Sequence, residues 1–144
     1  MNKLWKYMLV AVVLGFIWGH SMMPKSTSIT ESSWVMDRLN AVLAGLLGKE
    51  LTLHLVRKLA HLAEYALLAF VASFPITALK KWVNSFYFCF SVAFIDETIQ
   101  MFSDRGDLIS DVWVDLAGVL LGSLAGLVLW ALIRAFRKKK PQHA

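Results

Sequence analysis

Long apolar stretches alternate with short polar ones along this chain. Runs of about 20 apolar residues suffice to cross a hydrocarbon core of about 30 Å, and four can be marked off, at about 4–20, 59–79, 82–101 and 112–133. The stretch 21–32, "SMMPKSTSITES", is polar, contains Pro24 and reads as an extra-membrane loop. Residues 33–48 differ again. Trp34, Val35, Leu39, Val42, Leu43, Leu46 and Leu47 recur at helical spacing, Asp37, Arg38 and Asn40 fall elsewhere on the wheel, and Gly48 supplies a stop. Too short and too two-faced to span, this segment is expected as an amphipathic helix lying on the headgroups or lidding the bundle. The pattern predicts an all-α membrane protein: a small bundle of about four transmembrane helices, with an additional amphipathic interfacial helix, in a single domain over 1–144 that ends in a basic tail, 134–144.

The first run, "LWKYMLVAVVLGFIWGH", shares a basic start with signal peptides. The following "GHSMMP" is a poor small-x-small cleavage site, and Trp5 and Trp18 sit near opposite ends as interfacial anchors do, so an uncleaved helix is expected.

Composition agrees with membrane residence: 58% of the 144 residues are hydrophobic, against about 45–50% in soluble domains. The formal charge of +5 does not point to nucleic acid, because the basic residues flank the apolar runs instead of forming a patch among exposed aromatics. They orient the chain. Short cytoplasmic segments hold the excess of Lys and Arg, which places Lys3, Lys6, Lys80, Lys81, Arg134 and the 137–140 cluster inside, both termini included. Cys89 is the sole cysteine, excludes an intramolecular disulfide and falls near mid-span as a core residue.

The ionisable residues within the runs stand at one depth. With the second span running inward, the third outward and the fourth inward, Arg57, Lys58, His61 and Glu64 open the second, Asp96, Glu97 and Gln100 close the third, and Asp111 and Asp115 open the fourth. The loop between the last two adds Asp104, Arg105 and Asp107. All converge on one end, and flipping the whole protein would move the cluster without dispersing it. Helical spacing groups Arg57, His61, Glu64 and Leu68 on one face, and Asp111, Asp115, Gly118, Gly122 and Gly126 on another. Ionisable groups near the centre of a span cost about 2.5–3.5 kcal/mol each on insertion scales and face partners or a wet cavity. The glycines form a doubled small-xxx-small pattern, which lets helix backbones approach closely; Gly118, one turn from Asp115, is also a candidate for making room for a ligand.

These residues carry a family resemblance. "KLAHLAEYALLAF" resembles the K-x-x-H-x-x-E-[YF]-x-x-L signature of VanZ-like membrane proteins through Lys58, His61, Glu64, Tyr65 and Leu68. "DETIQMFSDRGDLISD" is similar to the family's acidic-x-x-Gln and Arg through Glu97, Gln100 and Arg105, and "DVWVDLAGVLLG" to its D-x-x-x-[ND]-x-x-G through Asp111, Asp115 and Gly118. The resemblance covers about residues 57–126. It departs at Asp115, where Asn is more usual, so this chain holds an extra negative charge. What the resemblance implies is a bacterial membrane location and, for the namesake, low-level resistance to teicoplanin, an acylated glycopeptide. It implies no reaction. Tyr65, Gln100, Asp111 and Gly118, among the matched positions, are expected here as substrate contacts.

The residues themselves leave several chemistries open. His61 and Glu64 can serve as an acid/base pair, with Glu97 or Asp115 orienting the imidazole, while Arg57, Lys58 and Arg105 hold a phosphate of an envelope lipid or lipid-linked wall precursor. No nucleophile is evident. A divalent cation is the cofactor that His61, Glu64, Glu97 and Asp115 would take, in an oxygen-rich shell suited to manganese, magnesium or calcium. Alternatively the site binds a lipid headgroup or a lipoglycopeptide antibiotic without turnover. A transporter would need polar groups through both leaflets, and the inner halves offer few beyond Thr77, Asn84 and Ser85.

Overall fold

The computed structural model describes residues 3–74, 79–102 and 110–139. Its regular structure is helical throughout: α1 (Lys3–Ser21), α2 (Lys25–Leu47), α3 (Leu53–Ser73), α4 (Leu79–Phe102) and α5 (Ser110–Lys139), with no strand among the described residues. Four of the five correspond to the four apolar runs, with shifted ends.

Local chemistry explains the shifts. α3 begins at Leu53 instead of 59 because Thr52 caps it, its hydroxyl accepting from the Leu55 N–H at 3.3 Å and so satisfying one of the donors that a helix start leaves orphaned. It ends where Phe74 turns extended and returns its N–H to the Phe70 carbonyl at 2.9 Å. Pro75 follows in the sequence, and a residue before proline is biased away from helix. Residues 75–78 of the expected second span, Thr77 among them, lie outside the described residues, as does 140–144 of the expected tail. α5 continues beyond the expected end at 133, so that Arg134 and Arg137 belong to a helix of 30 residues.

The largest correction concerns α2. The polar stretch 21–32 is a turn only as far as Pro24; from Lys25 it is helix, and the Ser28 N–H donates to the Pro24 carbonyl at 3.1 Å. Proline heads a helix at no loss, because its absent N–H would have been unpaired there. At the other end Gly48, at φ +64°, adopts the left-handed conformation that closes helices, as expected of it. Asn40 then ties α2 to the start of α3: its amide donates to the Leu51 carbonyl at 3.1 Å and accepts from the Leu51 N–H at 2.7 Å.

α3 is the hub, and its interface with α5 is the most extensive in the molecule. The glycine stripe makes it so. A Cβ on Gly118 would lie 2.5 Å from the Leu62 carbonyl oxygen, one on Gly122 1.9 Å from that of Ala66, and one on Gly126 2.7 Å from the Ser73 hydroxyl. Matching positions advance together along both helices, so α3 and α5 run parallel and in register, while the paired ends of α1 and α4 reach the same end of the bundle from the opposite direction. Ile17, Leu68, Ala69, Cys89, Ala93 and Val119 fill the core between them.

Among the described residues two helices are long and apolar enough to cross a membrane, α1 over Leu4–Ser21 and α5 over Asp111–Arg137. α3 and α4 have the length, 21 and 24 residues, but Arg57, Lys58 and Glu64 interrupt the first and Lys80, Lys81, Asp96 and Glu97 the second. α5 leaves Leu120, Leu121, Leu124, Val128, Leu132 and Phe136 exposed. Water solvates such a continuous apolar face poorly, whereas lipid tails cover it without penalty.

Candidate functional site

The helix ends converge as their sequence depth requires. Positions 58, 61 and 64–65 of α3 follow one another at one helical turn, and α5 presents Asp111 and Asp115 in the same rhythm, so the parallel register matches them in pairs. Lys58 Nζ lies 3.2 Å from Asp111 Oδ1, and one turn deeper His61 Nδ1 lies 3.6 Å from Asp115 Oδ1. The first is an ion pair within hydrogen-bond range. The second is too long for one.

α4 contributes Asp96, Glu97 and Gln100 from its last turns. Gln100 donates to Asp96 Oδ2 at 2.9 Å, along its own helix, and to the Ser21 hydroxyl of α1 at 3.4 Å. Glu97 completes a cluster with His61 and Asp115 in which one donor atom from each residue lies within 4.8 Å of the others. Asp96 and Asp115 are wholly buried and Glu97 is 5% exposed.

The hydrogen-bond inventory of this layer is incomplete in an informative way. His61 Nδ1, Tyr65 Oη, Asp96 Oδ1, Glu97 Oε1, Gln100 Oε1 and both carboxylate oxygens of Asp115 are buried without a hydrogen-bond partner. Native proteins pair the large majority of such atoms, and an uncompensated buried charge costs several kcal/mol. Elsewhere Trp18 Nε1, Ser123 Oγ and Trp130 Nε1 are unpaired as well, while Ser85 donates to the Ala72 carbonyl at 3.2 Å and Trp82 to that of Ser123 at 3.4 Å. Among the described residues the unpaired carboxylate and amide oxygens all gather where the acids are, and such acceptors call for cations or donors.

Toward solvent the layer opens into a shallow cleft lined by His54, Arg57, Lys58, His61, Asp111 and Val114. His61 is common to the cleft and to the buried cluster. On the other flank of α3, Glu64 Oε1 accepts from His20 Nδ1 at 2.9 Å, and the far side of the same imidazole lies 3.7 Å from Glu31 of α2. Beside that pair, α1, α2 and α3 enclose an open groove of about 470 Å³, largely apolar, whose walls include Gly15, Phe16, Gly19, Val35 and Val56.

The expected site residues thus divide. His61, Glu97 and Asp115 come together; Arg57, Lys58 and Asp111 form the cleft above them; Tyr65 and Gln100 are fully buried beneath and beside. Glu64 does not share the expected metal shell, because its carboxylate turns to His20 and stands outside the His61, Glu97 and Asp115 group. Gly118 gives no ligand room, since the Leu62 backbone occupies the space above its α-carbon. Arg105, Asp104 and Asp107 lie outside the described residues. Three participants carried no site assignment from the sequence: His20, Ser21 and Asp96. For His20 and Ser21 the signal was present in their place at the C-terminal end of the first apolar run, the end of the bundle shared by every other member.

No curated protein and no solved structure matches the chain. The family comparison does: the model described as VanZ/LLP1 matches residues 5–133, which extends the resemblance of the 57–126 motifs over α1 and α2, and the chain belongs to the VanZ-like family.

Proposed function

We propose that this chain is a multi-pass protein of the bacterial cytoplasmic membrane that binds the polar headgroup of an envelope lipid, a lipid-linked wall precursor or a lipoglycopeptide of the teicoplanin type. In this reading α1, α3, α4 and α5 cross the bilayer, both termini are cytoplasmic, and the converged helix ends face outward. The observation that carries it is the presence of two surfaces on opposite flanks of α3: a small cleft of about 20 Å³ at His54, Arg57 and Lys58, with Asp111 paired to Lys58, and a largely apolar groove beside His20 and Glu64. An amphiphile needs both. Arg and Lys bind phosphate and carboxylate by charge-assisted hydrogen bonds, while the groove offers an acyl chain a path alongside α1, whose Gly15 and Gly19 leave open space above their α-carbons.

A second reading is acid/base processing of the bound headgroup. The His61–Asp115 contact favours it, because a carboxylate beside an imidazole orients the ring for proton transfer.

Purification in a mild detergent followed by lipid extraction and mass spectrometry tests the first reading. One acylated anionic or zwitterionic species is expected to co-purify with wild type and to fall at least severalfold in Lys58→Met. Equal lipid profiles for both proteins would refute the assignment of the cleft. Incubation of the loaded protein separates the second reading: recovery of the species unchanged limits the site to binding, and a headgroup product absent in His61→Ala establishes turnover.

A further inference from the structure

We propose that His61, Glu97 and Asp115 hold a divalent cation, buried between α3, α4 and α5, that receives an anionic oxygen of the ligand from the cleft. This rests on the headgroup reading only for the ligand; the ion site stands on its own geometry. Three helices supply one donor each within 4.8 Å. Metal bonds of about 2.0–2.2 Å in a tetrahedral shell put neighbouring donors about 3.4 Å apart, so the three donors would draw together by at most about 1.4 Å on binding.

The second observation is the state of those donors. Asp115 is wholly buried and neither carboxylate oxygen has a partner within hydrogen-bond distance, His61 Nδ1 standing 3.6 Å from Oδ1; Glu97 Oε1 and His61 Nδ1 likewise make no hydrogen bond. Lys58, the cation nearest along α3, engages Asp111 instead. Asp96 has one oxygen bonded by Gln100, which separates it from the group. Two carboxylates then face one imidazole at the centre of a packed layer. A divalent cation neutralises both and uses the orphaned lone pairs, whereas a bound water would satisfy lone pairs and leave the charge.

The donor set selects the ion. One imidazole with two carboxylates suits manganese or zinc better than calcium, which prefers six to eight oxygens. Three protein ligands leave at least one coordination position open. His61 borders both the cluster and the cleft, so that position is reached from the side of Arg57 and Lys58, where a phosphate would arrive already paired with cations.

Full-length protein, stripped with chelator in detergent, tests the site with Mn2+ and Zn2+ alone. Calorimetry is expected to find about one ion per chain, with affinity at least tenfold weaker in Asp115→Asn and Glu97→Gln and unchanged in Asp37→Asn, an exposed acid of α2. Thermal melting of wild type supplies a readout that needs no variant to fold: the ion is expected to raise Tm, and chelator to reverse the rise. Absence of stoichiometric binding and of any Tm change in wild type overturns the proposal, as does equal affinity in the two cluster variants. Lipid capture that persists in a protein binding no ion removes the cation and leaves the headgroup reading standing; ion binding without lipid capture does the reverse.

Discussion

Replacing Gly122 by alanine perturbs one methyl group at the tightest point of the fold. The added Cβ would lie 1.9 Å from the Ala66 carbonyl oxygen, 2.7 Å from its carbon and 2.8 Å from its α-carbon. A carbon and a carbonyl oxygen tolerate about 3.3 Å, so the helices must part by about 1.4 Å, and no side chain can yield because every obstructing atom is backbone. Overpacking of this kind costs about 1–3 kcal/mol, equivalent to a fall in Tm of about 3–10 °C for a chain of this size. Gly15→Ala provides the control, since nothing lies within 4 Å of the position its Cβ would take. Thermal unfolding in detergent, followed by tryptophan fluorescence, is expected to show the loss in Gly122→Ala and none in Gly15→Ala. Equal melting of the two variants would refute the backbone-to-backbone packing of α3 on α5, and with it the register that sets His61 against Asp115.

Other consequences can be checked separately. Asn40→Ala removes two hydrogen bonds to Leu51 and should cost about 1–3 kcal/mol, with faster proteolysis at 48–52 as the local readout. Gly19→Leu fills the groove beside His20 without touching backbone; acyl-lipid capture is expected to fall while Tm holds, and a Tm loss equal to that of Gly122→Ala would contradict the open groove. Cysteines introduced at Asp104 and Lys138, in a Cys89→Ser background, should label from opposite faces of the membrane, and labelling of both from one face would end the proposed topology.

The polar end was legible because it depends on helix direction alone: residues that close one apolar run and open the next must meet, whatever the helix boundaries are. Gly48 was legible for an equally local reason, since its stop follows from the left-handed conformation that glycine adopts without strain. What escaped depended on partners far along the chain. His20 ends an apolar run and looks like an interfacial residue until Glu64, 44 positions later, is found against it. The serine- and threonine-rich residues after Pro24 have the composition of a loop, yet the proline supplies a helix start, and tertiary contact with α3 supports what propensity alone would not. The expected span count met a different obstacle: the residues that make the site, with Lys80 and Lys81 at the other end of α4, are those that disqualify α3 and α4 as purely apolar helices.

Site and stability are joined in α5. Asp115, Gly118, Gly122 and Gly126 share one face, so the stripe that draws α5 onto α3 also drives a carboxylate into the interior beside His61. A larger residue at 118 or 122 would relieve the burial of that carboxylate by parting the helices, and an asparagine at 115 would relieve it by removing the charge. This chain has neither. Close approach and the acid together set a buried carboxylate 3.6 Å from His61, so the acid at 115 and the glycines behind it belong to one arrangement: the packing that holds α5 on α3 also fixes the layer in which the proposed cation would sit.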